Sequence, residues 1–273
     1  MLLEDDMDKL VKIGYILFLF VCAYTLILYF AQENFYLHPN KKYISPTQCG
    51  MPQFEEIVLK TEDNIEMLNW FAKGDKNKPV LLFFHGNRDQ MADFAPSLSP
   101  YLKEGLNVMM AEYRGFGGTK GKFSQDNLYK DATRVYNYLK DDLKFENIYV
   151  FGYSMGTAPA SYLASEKNPK GVILGAPFYS LKEVAGERNI PLAKYIIKYE
   201  MPSYKFVKQY KGNLLIVHGT ADKVVPVQHG KRLYELSSSN SKKLVLLPNA
   251  SHRDVFFNDK GGFPHIIDWI NSH

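Results

Sequence analysis

The stretch GYSMG at residues 152–156 places Ser154 between two glycines, directly after the apolar run NIYVF. This GxSxG spacing is typical of a nucleophile elbow, a tight strand-to-helix turn that exposes the serine hydroxyl at a helix N-terminus. Gly152 and Gly156 suit such a turn because the helix crosses close to neighbouring strands. An ordinary glycine-rich turn is the alternative, so the prediction depends on whether the chain supplies a base.

A serine hydroxyl needs a general base, and that base needs a carboxylate to orient it. In NLLIVHGTADKVVP, Asp222 follows a late apolar run, and in KLVLLPNASHRDVF, His252 follows the last one. The chain order Ser…Asp…His is that of a nucleophile-elbow enzyme. Ser154, Asp222 and His252 are therefore the predicted catalytic residues.

The other histidines and one carboxylate are weaker candidates. His85 and His218 end apolar runs in HGN and HGT, where hydrogen bonding to loop backbone is expected. Asp254 is a second candidate for the carboxylate. The remaining histidines are predicted to have surface, packing or helix-start positions: His38, His229, His265 and His273.

Stabilisation of a developing oxyanion requires two fixed N–H donors. One is expected from the amide of Met155, which follows the nucleophile. The other is expected from the loop after PVLLFFHG, which indicates the backbone amide of Asn87. These two residues form the predicted oxyanion hole.

The elements that would position these residues alternate between apolar runs and amphipathic segments. Two alternating segments, FEEIVLKT and IEMLNWFAK, predict a β-hairpin. Strands are predicted at 79–86, 107–115, 147–152, 171–178, 213–219 and 243–249, with helices at 127–143, 156–166, 229–237 and 262–272. The fold class is therefore α/β, a mostly parallel central sheet flanked by helices.

Residues 13–32, IGYILFLFVCAYTLILYFAQ, contain no charged side chain. A helix of this length covers a hydrocarbon core of about 30 Å, which predicts an N-terminal transmembrane helix and a lipid bilayer as partner. A cleaved signal peptide is the alternative, but a cut after Ala31 would place Tyr29 at position −3. Lys9 and Lys12 precede the span, so the large domain is expected on the non-cytoplasmic side.

The predicted organisation is a tail and anchor at 1–32, a connector at 33–53 and a catalytic domain at 54–273.

A net charge of +4, spread along 273 residues, argues against nucleic-acid binding. The sequence contains no CxxC or HExxH motif, so neither a metal site nor a cofactor is expected.

Six segments carry a family resemblance: HGN (85–87), EYRGFGGTKG (112–121), GYSMG, GAPF (175–178), HGTADKVVP (218–226) and ASH (250–252). Together they resemble the α/β-hydrolase-fold serine hydrolases over about residues 54–272. The chain is most similar to a membrane-anchored branch that includes depalmitoylating hydrolases and their bacterial relatives. The resemblance implies a structural role for Arg114. Arg88, Phe178 and Tyr179 are the candidate substrate-binding residues. The segment HGNRDQ departs from the family, whose members tend to carry small residues after the position of Asn87.

A small cap is expected at about residues 179–210, with one or two short helices. Its apolar residues could line an acyl groove or pack the cap onto the body: Tyr179, Leu181, Ile196, Tyr199 and Phe206.

The favoured function is a membrane-anchored esterase or acyl thioesterase that acts on an acyl ester, thioester or lipid-like substrate. A serine peptidase, with Glu183 or Glu187 binding a peptide amino terminus, and a catalytically silent membrane scaffold are the alternatives.

Overall fold

Five consecutive apolar runs form strands at the centre of the molecule because helices cover both of their faces. The computed structural model describes residues 2–188, 190–257 and 261–273. Its strands are β1 (Glu55–Lys60), β2 (Glu66–Ala72), β3 (Val80–Phe84), β4 (Asn107–Ala111), β5 (Ile148–Tyr153), β6 (Gly171–Gly175), β7 (Asn213–Gly219) and β8 (Ser241–Leu247). Every position of β3 to β6 is buried, and so is every position of β7 after its first.

The described strands form an eight-stranded sheet in the order β1-β2-β4-β3-β5-β6-β7-β8. β1 and β2 form the predicted antiparallel hairpin, with Glu55 opposite Phe71. β2 is also antiparallel to β4, and the remaining neighbours are parallel. The mostly parallel sheet agrees with the alternation in the sequence.

The strand order reverses at β3, since β4 lies on one side of it and β5 on the other. β3 and β5 are paired in parallel, with Phe84 opposite Gly152. The loops that follow these two strands therefore leave the sheet side by side at its carboxyl edge, where open α/β sheets bind ligands. This topology brings residues 85–90 beside the GYSMG turn.

Helices cover both faces of the sheet. In chain order, the described helices are α1 (Leu2–Tyr36), α2 (Met91–Lys103), α3 (Gln125–Asn137), α4 (Thr157–Lys167), α5 (Leu181–Glu187), α6 (Ala193–Ile196), α7 (Ser203–Gln209), α8 (Val227–Leu236), α9 (Asp254–Phe257) and α10 (Phe263–Ser272), and the apolar part of α1 does not pack on the sheet. A π-helical turn, Tyr138–Asp142, continues α3, so the predicted helix at 127–143 has two parts. Leu82 and Phe84 of β3 join one hydrophobic cluster, and Leu81 and Phe83 join the other.

The cap contains three short helices, α5, α6 and α7, where one or two were predicted. Most of its candidate groove residues pack or form polar contacts. The hydroxyl oxygen of Tyr199 lies 3.2 Å from the backbone oxygen of Phe123, and Phe206 packs edge-on against Tyr129 and Tyr162. Leu181 is the member of the predicted set that lines the cavity described below.

The N-terminal helix α1 contains the predicted span and extends beyond it at both ends. Within the described residues, one stretch of 27 residues, Met7–Glu33, has the length and composition of a membrane span, and its most apolar 18-residue window has a mean hydropathy of 2.3. Its most apolar window is not buried against the rest of the chain. A helix of this length covers about 40 Å, enough to cross a hydrocarbon core.

The carboxyl end of α1 is held by the cap. The side chain of Gln32 donates to the backbone oxygen of Ile196 (3.1 Å) and accepts from the amide of Lys198 (2.6 Å). Glu33 forms an ion pair with Lys198 and accepts a hydrogen bond from the Tyr199 hydroxyl (2.7 Å). The helix is therefore fixed to the α/β domain by side-chain contacts as well as by the chain.

Candidate active site

The GYSMG segment forms a strained turn between β5 and α4. Ser154 begins a 3₁₀ turn, Ser154–Gly156, and has φ 51°, in the left-handed region that costs a non-glycine residue free energy. The hydroxyl of Thr157 donates to the backbone oxygen of Ser154 (2.6 Å), which helps to hold this conformation. The turn directs Ser154 toward the carboxyl edge of the sheet.

The two flanking glycines are required by close backbone contacts. A Cβ added at Gly152 would overlap the backbone oxygen of Gly156, and one added at Gly156 would overlap that of Phe84. Neither glycine has a positive φ, so the requirement is one of space and not of backbone conformation.

Replacement of Gly156 by alanine is expected to lower the free energy of unfolding by about 3 kcal/mol, the upper end of the cost of overpacking. The added methyl group would force β3 and α4 apart. Urea unfolding of the detergent-solubilised chain measures the loss. Gly14→Ala is the control, because nothing lies within 4 Å of a Cβ at Gly14; equal stability of the two variants would contradict the steric argument.

Ser154, His252 and Asp222 form a continuous hydrogen-bonded chain. Nε2 of His252 lies 2.9 Å from Oγ of Ser154, and Nδ1 of His252 lies 2.7 Å from Oδ2 of Asp222. The side chain of His252 is 14% exposed and that of Asp222 is fully buried. An ionised Asp222 can only accept, so Nδ1 carries the proton and Nε2 is left as the acceptor that faces the serine hydroxyl.

Asp222 is held ionised by its surroundings. Burial would raise the pKa of its carboxyl group, but hydrogen bonds from His218 and His252 outweigh it and lower the pKa below the usual value. Oδ1 also accepts from the amides of Val224 (2.8 Å) and Val225 (2.9 Å). An ionised Asp222 in this position would stabilise an imidazolium at His252.

Two contacts in this region are absent from the sequence-based predictions. The hydroxyl of Tyr153 donates to the backbone oxygen of His252 (3.0 Å), which fixes the loop after β8. Nε2 of His218 lies 2.9 Å from the backbone oxygen of Val225 and 3.3 Å from Oδ2 of Asp222. Hydrogen bonding of His218 to loop backbone was predicted, but its contact with the carboxylate was not.

The predicted oxyanion residues border the serine. Asn87 and Met155 line the same cavity as Ser154. At Gly86 an added Cβ would lie 3.5 Å from Cβ of Ser154, so the loop after β3 packs directly on the serine turn. The side chain of Asn87 accepts a hydrogen bond from the amide of His38 (3.0 Å), while its backbone N–H belongs to the loop that faces the cavity.

His85, at the base of this loop, is held by a buried carboxylate. Its Nδ1 lies 2.7 Å from the backbone oxygen of Gly86, and its Nε2 lies 2.6 Å from Oε1 of Glu112. Both partners are acceptors, so both ring nitrogens donate and His85 is an imidazolium. Burial alone would lower the pKa of His85, but the charge of Glu112 outweighs it and raises the pKa.

This pair predicts a loss of stability at alkaline pH. The folded protein holds the His85 proton more tightly than the unfolded chain, in which histidine titrates near pH 6.5. The stabilisation is therefore fully present below about pH 6.5 and is lost as the pH rises through the raised pKa of the folded state. Urea unfolding from pH 6 to pH 9 should show a steeper decline for the wild type than for Glu112→Gln. Parallel curves would contradict the assignment.

A cavity of about 910 Å³ opens at Ser154 and His252. Arg88 and Phe178, two predicted substrate contacts, line it together with Leu181 and Val184. Tyr179, the third, is not among the described residues of its lining: its ring stacks on Tyr204 at 4.8 Å between centroids and carries the guanidinium of Arg232 on it at 3.9 Å. The ring of Tyr179 thus packs against Tyr204 and Arg232, and its contact with a substrate stays a prediction.

The two acidic residues proposed to bind a peptide amino terminus have histidine or arginine partners. Glu187 lines the cavity and lies 3.0 Å from Nε2 of His229. Glu183 forms an ion pair with Arg232 and is not among the described lining residues.

Arg114 contacts Asp63 and Asp131, as the structural role implied by the resemblance requires.

Comparison with known proteins agrees with this architecture. Residues 75–213 match the Hydrolase_4 family model, described as serine aminopeptidase, S33. The chain is 28% identical over 274 residues to the uncharacterized protein YfhR of Escherichia coli K12, covering 96% of this chain and 94% of that one. It is also 28% identical over 225 residues to the uncharacterized membrane protein YNL320W of Saccharomyces cerevisiae, covering 79% and 78% of the two chains.

A solved structure with the same fold is the Pyrococcus furiosus esterase Pf2001. It superposes with a TM-score of 0.72 at 19% identity and covers 86% of this chain and 97% of that one. A likeness at this identity shows the fold. The predicted α/β-hydrolase fold is confirmed.

Proposed function

Because the chain belongs to the Hydrolase_4 family of α/β hydrolases, we propose that it is a membrane-anchored serine hydrolase that cleaves carboxylic esters or acyl thioesters. The observation that carries the proposal is the hydrogen-bonded chain from Ser154 through His252 to Asp222, with separations of 2.9 and 2.7 Å. An acyl-enzyme forms on Ser154 and is then hydrolysed.

In the first half of the reaction, Nε2 of His252 takes the proton of the serine hydroxyl while Oγ attacks the acyl carbon. The amides of Asn87 and Met155 donate to the carbonyl oxygen as it becomes negative. The His252 imidazolium then gives its proton to the departing alcohol or thiol. In the second half, a water molecule replaces the leaving group and the same steps release the carboxylic acid.

An ester or thioester with an apolar acyl chain suits the cavity best. Leu37, Phe178, Leu181 and Val184 supply apolar lining near the nucleophile. The branch of depalmitoylating hydrolases, suggested by the sequence, is consistent with such a lining and stays a proposal.

A serine aminopeptidase is the second candidate, favoured by the description of the family and by the presence of Glu187 in the cavity lining. A peptide amino terminus would have to compete with His229 for that carboxylate. Higher kcat/KM for aminoacyl arylamides than for p-nitrophenyl acyl esters would favour this candidate.

The N-terminal helix supports membrane anchoring, with the tail and anchor at 1–32, a connector at 33–53 and the catalytic domain at 54–273. Residues 13–32 would cross the bilayer and the domain would lie on the non-cytoplasmic side. Protease protection in sealed membrane vesicles tests the orientation. Digestion of the domain from the cytoplasmic face would contradict it.

Labelling with a fluorophosphonate tests the proposed chemistry. Membranes from cells that express the full chain are incubated with the probe, and the adduct is located by peptide mass spectrometry. We expect it on the peptide that contains Ser154, because only an activated serine attacks the phosphorus. Folded protein that stays unlabelled would favour the catalytically silent scaffold.

A further inference from the structure

The cavity at Ser154 carries a surplus of positive charge. Its lining contains four cationic side chains, Arg88, Arg188, Lys223 and Arg253, and two carboxylates, Asp89 and Glu187. A cleft lined mainly by one sign of charge raises the local concentration of ligands of the opposite sign. The pairing of these six residues determines how much of the surplus is available to a ligand.

Both carboxylates are already engaged by residues of the protein. Asp89 forms an ion pair with Arg253, and Glu187 lies 3.0 Å from Nε2 of His229. For Arg88, Arg188 and Lys223, no ion pair is formed with any carboxylate in the described part of the chain. These three residues, the cationic rim, are all exposed to solvent.

The cationic rim surrounds the nucleophile from three parts of the fold. Arg88 follows Asn87 in the predicted oxyanion loop, Lys223 follows Asp222, and Arg188 follows α5 in the cap. Their charges therefore converge on one opening although they are far apart in the sequence. A surface helix with solvated lysines would not produce such convergence on a cavity.

Arg88 also has an unusual backbone. Its φ of 82° lies in the left-handed region, where glycine or asparagine is the ordinary choice. A long cationic side chain at such a position indicates that this side chain has a function that offsets the cost of the strained backbone. The loop holds it firmly, since Gly86 packs on Ser154 and Asn87 accepts from His38.

We propose that the cavity selects esters that carry an anionic group, a phosphate or a carboxylate, on the polar part of the molecule. This inference rests on the proposed hydrolase function. The apolar residues Leu37, Phe178 and Leu181 receive the acyl chain, and the cationic rim binds the anion. Arginine and lysine both form charge-assisted hydrogen bonds with phosphate and carboxylate oxygens.

The test compares two substrates with the same acyl ester, 1-oleoylglycerol and 1-oleoylglycerol 3-phosphate, presented to the full chain in neutral detergent micelles. We expect a higher kcat/KM for the phosphate. In the variant Arg88→Gln/Arg188→Gln/Lys223→Gln, the ratio of the two kcat/KM values should fall by about tenfold or more, the effect of one charge-assisted hydrogen bond. Added salt should reduce the wild-type ratio in the same direction.

Lys76→Gln is the matched control, because Lys76 is an exposed cation before β3, at the opposite edge of the sheet. Its ratio should equal that of the wild type. Equal use of both substrates by the wild type, or an unchanged ratio in the triple variant, would overturn the proposal.

Binding to Ser154→Ala separates this inference from the proposed chemistry. The ligands are the ether analogues 1-O-hexadecylglycerol and 1-O-hexadecylglycerol 3-phosphate, together with inorganic phosphate. Tighter binding of the ether phosphate supports the anion site even if the wild type hydrolyses no ester. Hydrolysis without this preference retains the serine hydrolase and removes the anion site. Inorganic phosphate that binds as tightly as the ether phosphate would assign the rim to a free anion and overturn the substrate assignment.

Discussion

Replacement of Ser154 by alanine is expected to lower kcat for ester hydrolysis by about 10⁴-fold or more, the usual effect of removing the nucleophile of such a triad. His252 would then have no hydroxyl to deprotonate, although Asp222 and the oxyanion amides would be unchanged. Initial rates with a p-nitrophenyl acyl ester measure the loss. The fold should be retained, because alanine fits the space of serine and the hydrogen bond from the Thr157 hydroxyl goes to the backbone oxygen of residue 154, not to the lost hydroxyl.

Ser165→Ala is the control for this experiment. Ser165 lies near the carboxyl end of α4, away from the elbow, and its hydroxyl contacts Tyr162 and Glu166 of the same helix. We expect full activity in this variant and unchanged thermal unfolding in both. If Ser154→Ala retained a substantial part of the wild-type activity, the nucleophile would have to be another group.

Replacement of Glu112 by alanine is expected to lower the free energy of unfolding by about 3–5 kcal/mol, the cost of leaving a buried charge without its partner. Glu112 accepts from Nε2 of His85 (2.6 Å) and from the amides of Met91 (3.2 Å) and Tyr113 (3.1 Å). The variant would leave three buried donors without an acceptor. Urea unfolding of the solubilised chain measures the change.

Two further variants make this result interpretable. Glu112→Gln should cost less, because a neutral imidazole can accept a hydrogen bond from the new amide. Glu235→Ala removes an exposed carboxylate on α8 and should change stability little. A small cost for Glu112→Ala would mean that the His85 imidazolium is stabilised by other groups.

The parallel strands and the order of their loops could be predicted from the sequence because continuous apolar runs are local signals. Helix α2 was not predicted. It carries Pro96 and Pro100 in its interior, and proline normally ends a helix. Its buried residues Met91, Phe94 and Leu98 supply the packing that overrides this local preference.

The partner of His85 was also beyond the reach of the sequence. Glu112 is 27 residues away and follows β4, inside a segment that the apolar pattern assigned entirely to a strand. A carboxylate at the end of a strand is ordinarily solvated, and only the strand order shows that it faces His85. The proposed catalytic residues were easier to predict because their chain order and loop positions are characteristic of the fold.

The contacts at the carboxyl end of α1 affect how the protein can be truncated and how far Ser154 lies from the membrane. Leu37 lines the cavity, and the amide of His38 donates to Asn87. Truncation after residue 40, the usual way to obtain a water-soluble protein, would remove part of the cavity wall together with the proposed anchor. With α1 in a bilayer, the same contacts would prevent the domain from moving freely about the end of the helix. In the proposed anchored state, these contacts would fix the height of Ser154 above the lipid, so that esters at that depth would be reached and esters held further from the membrane would not.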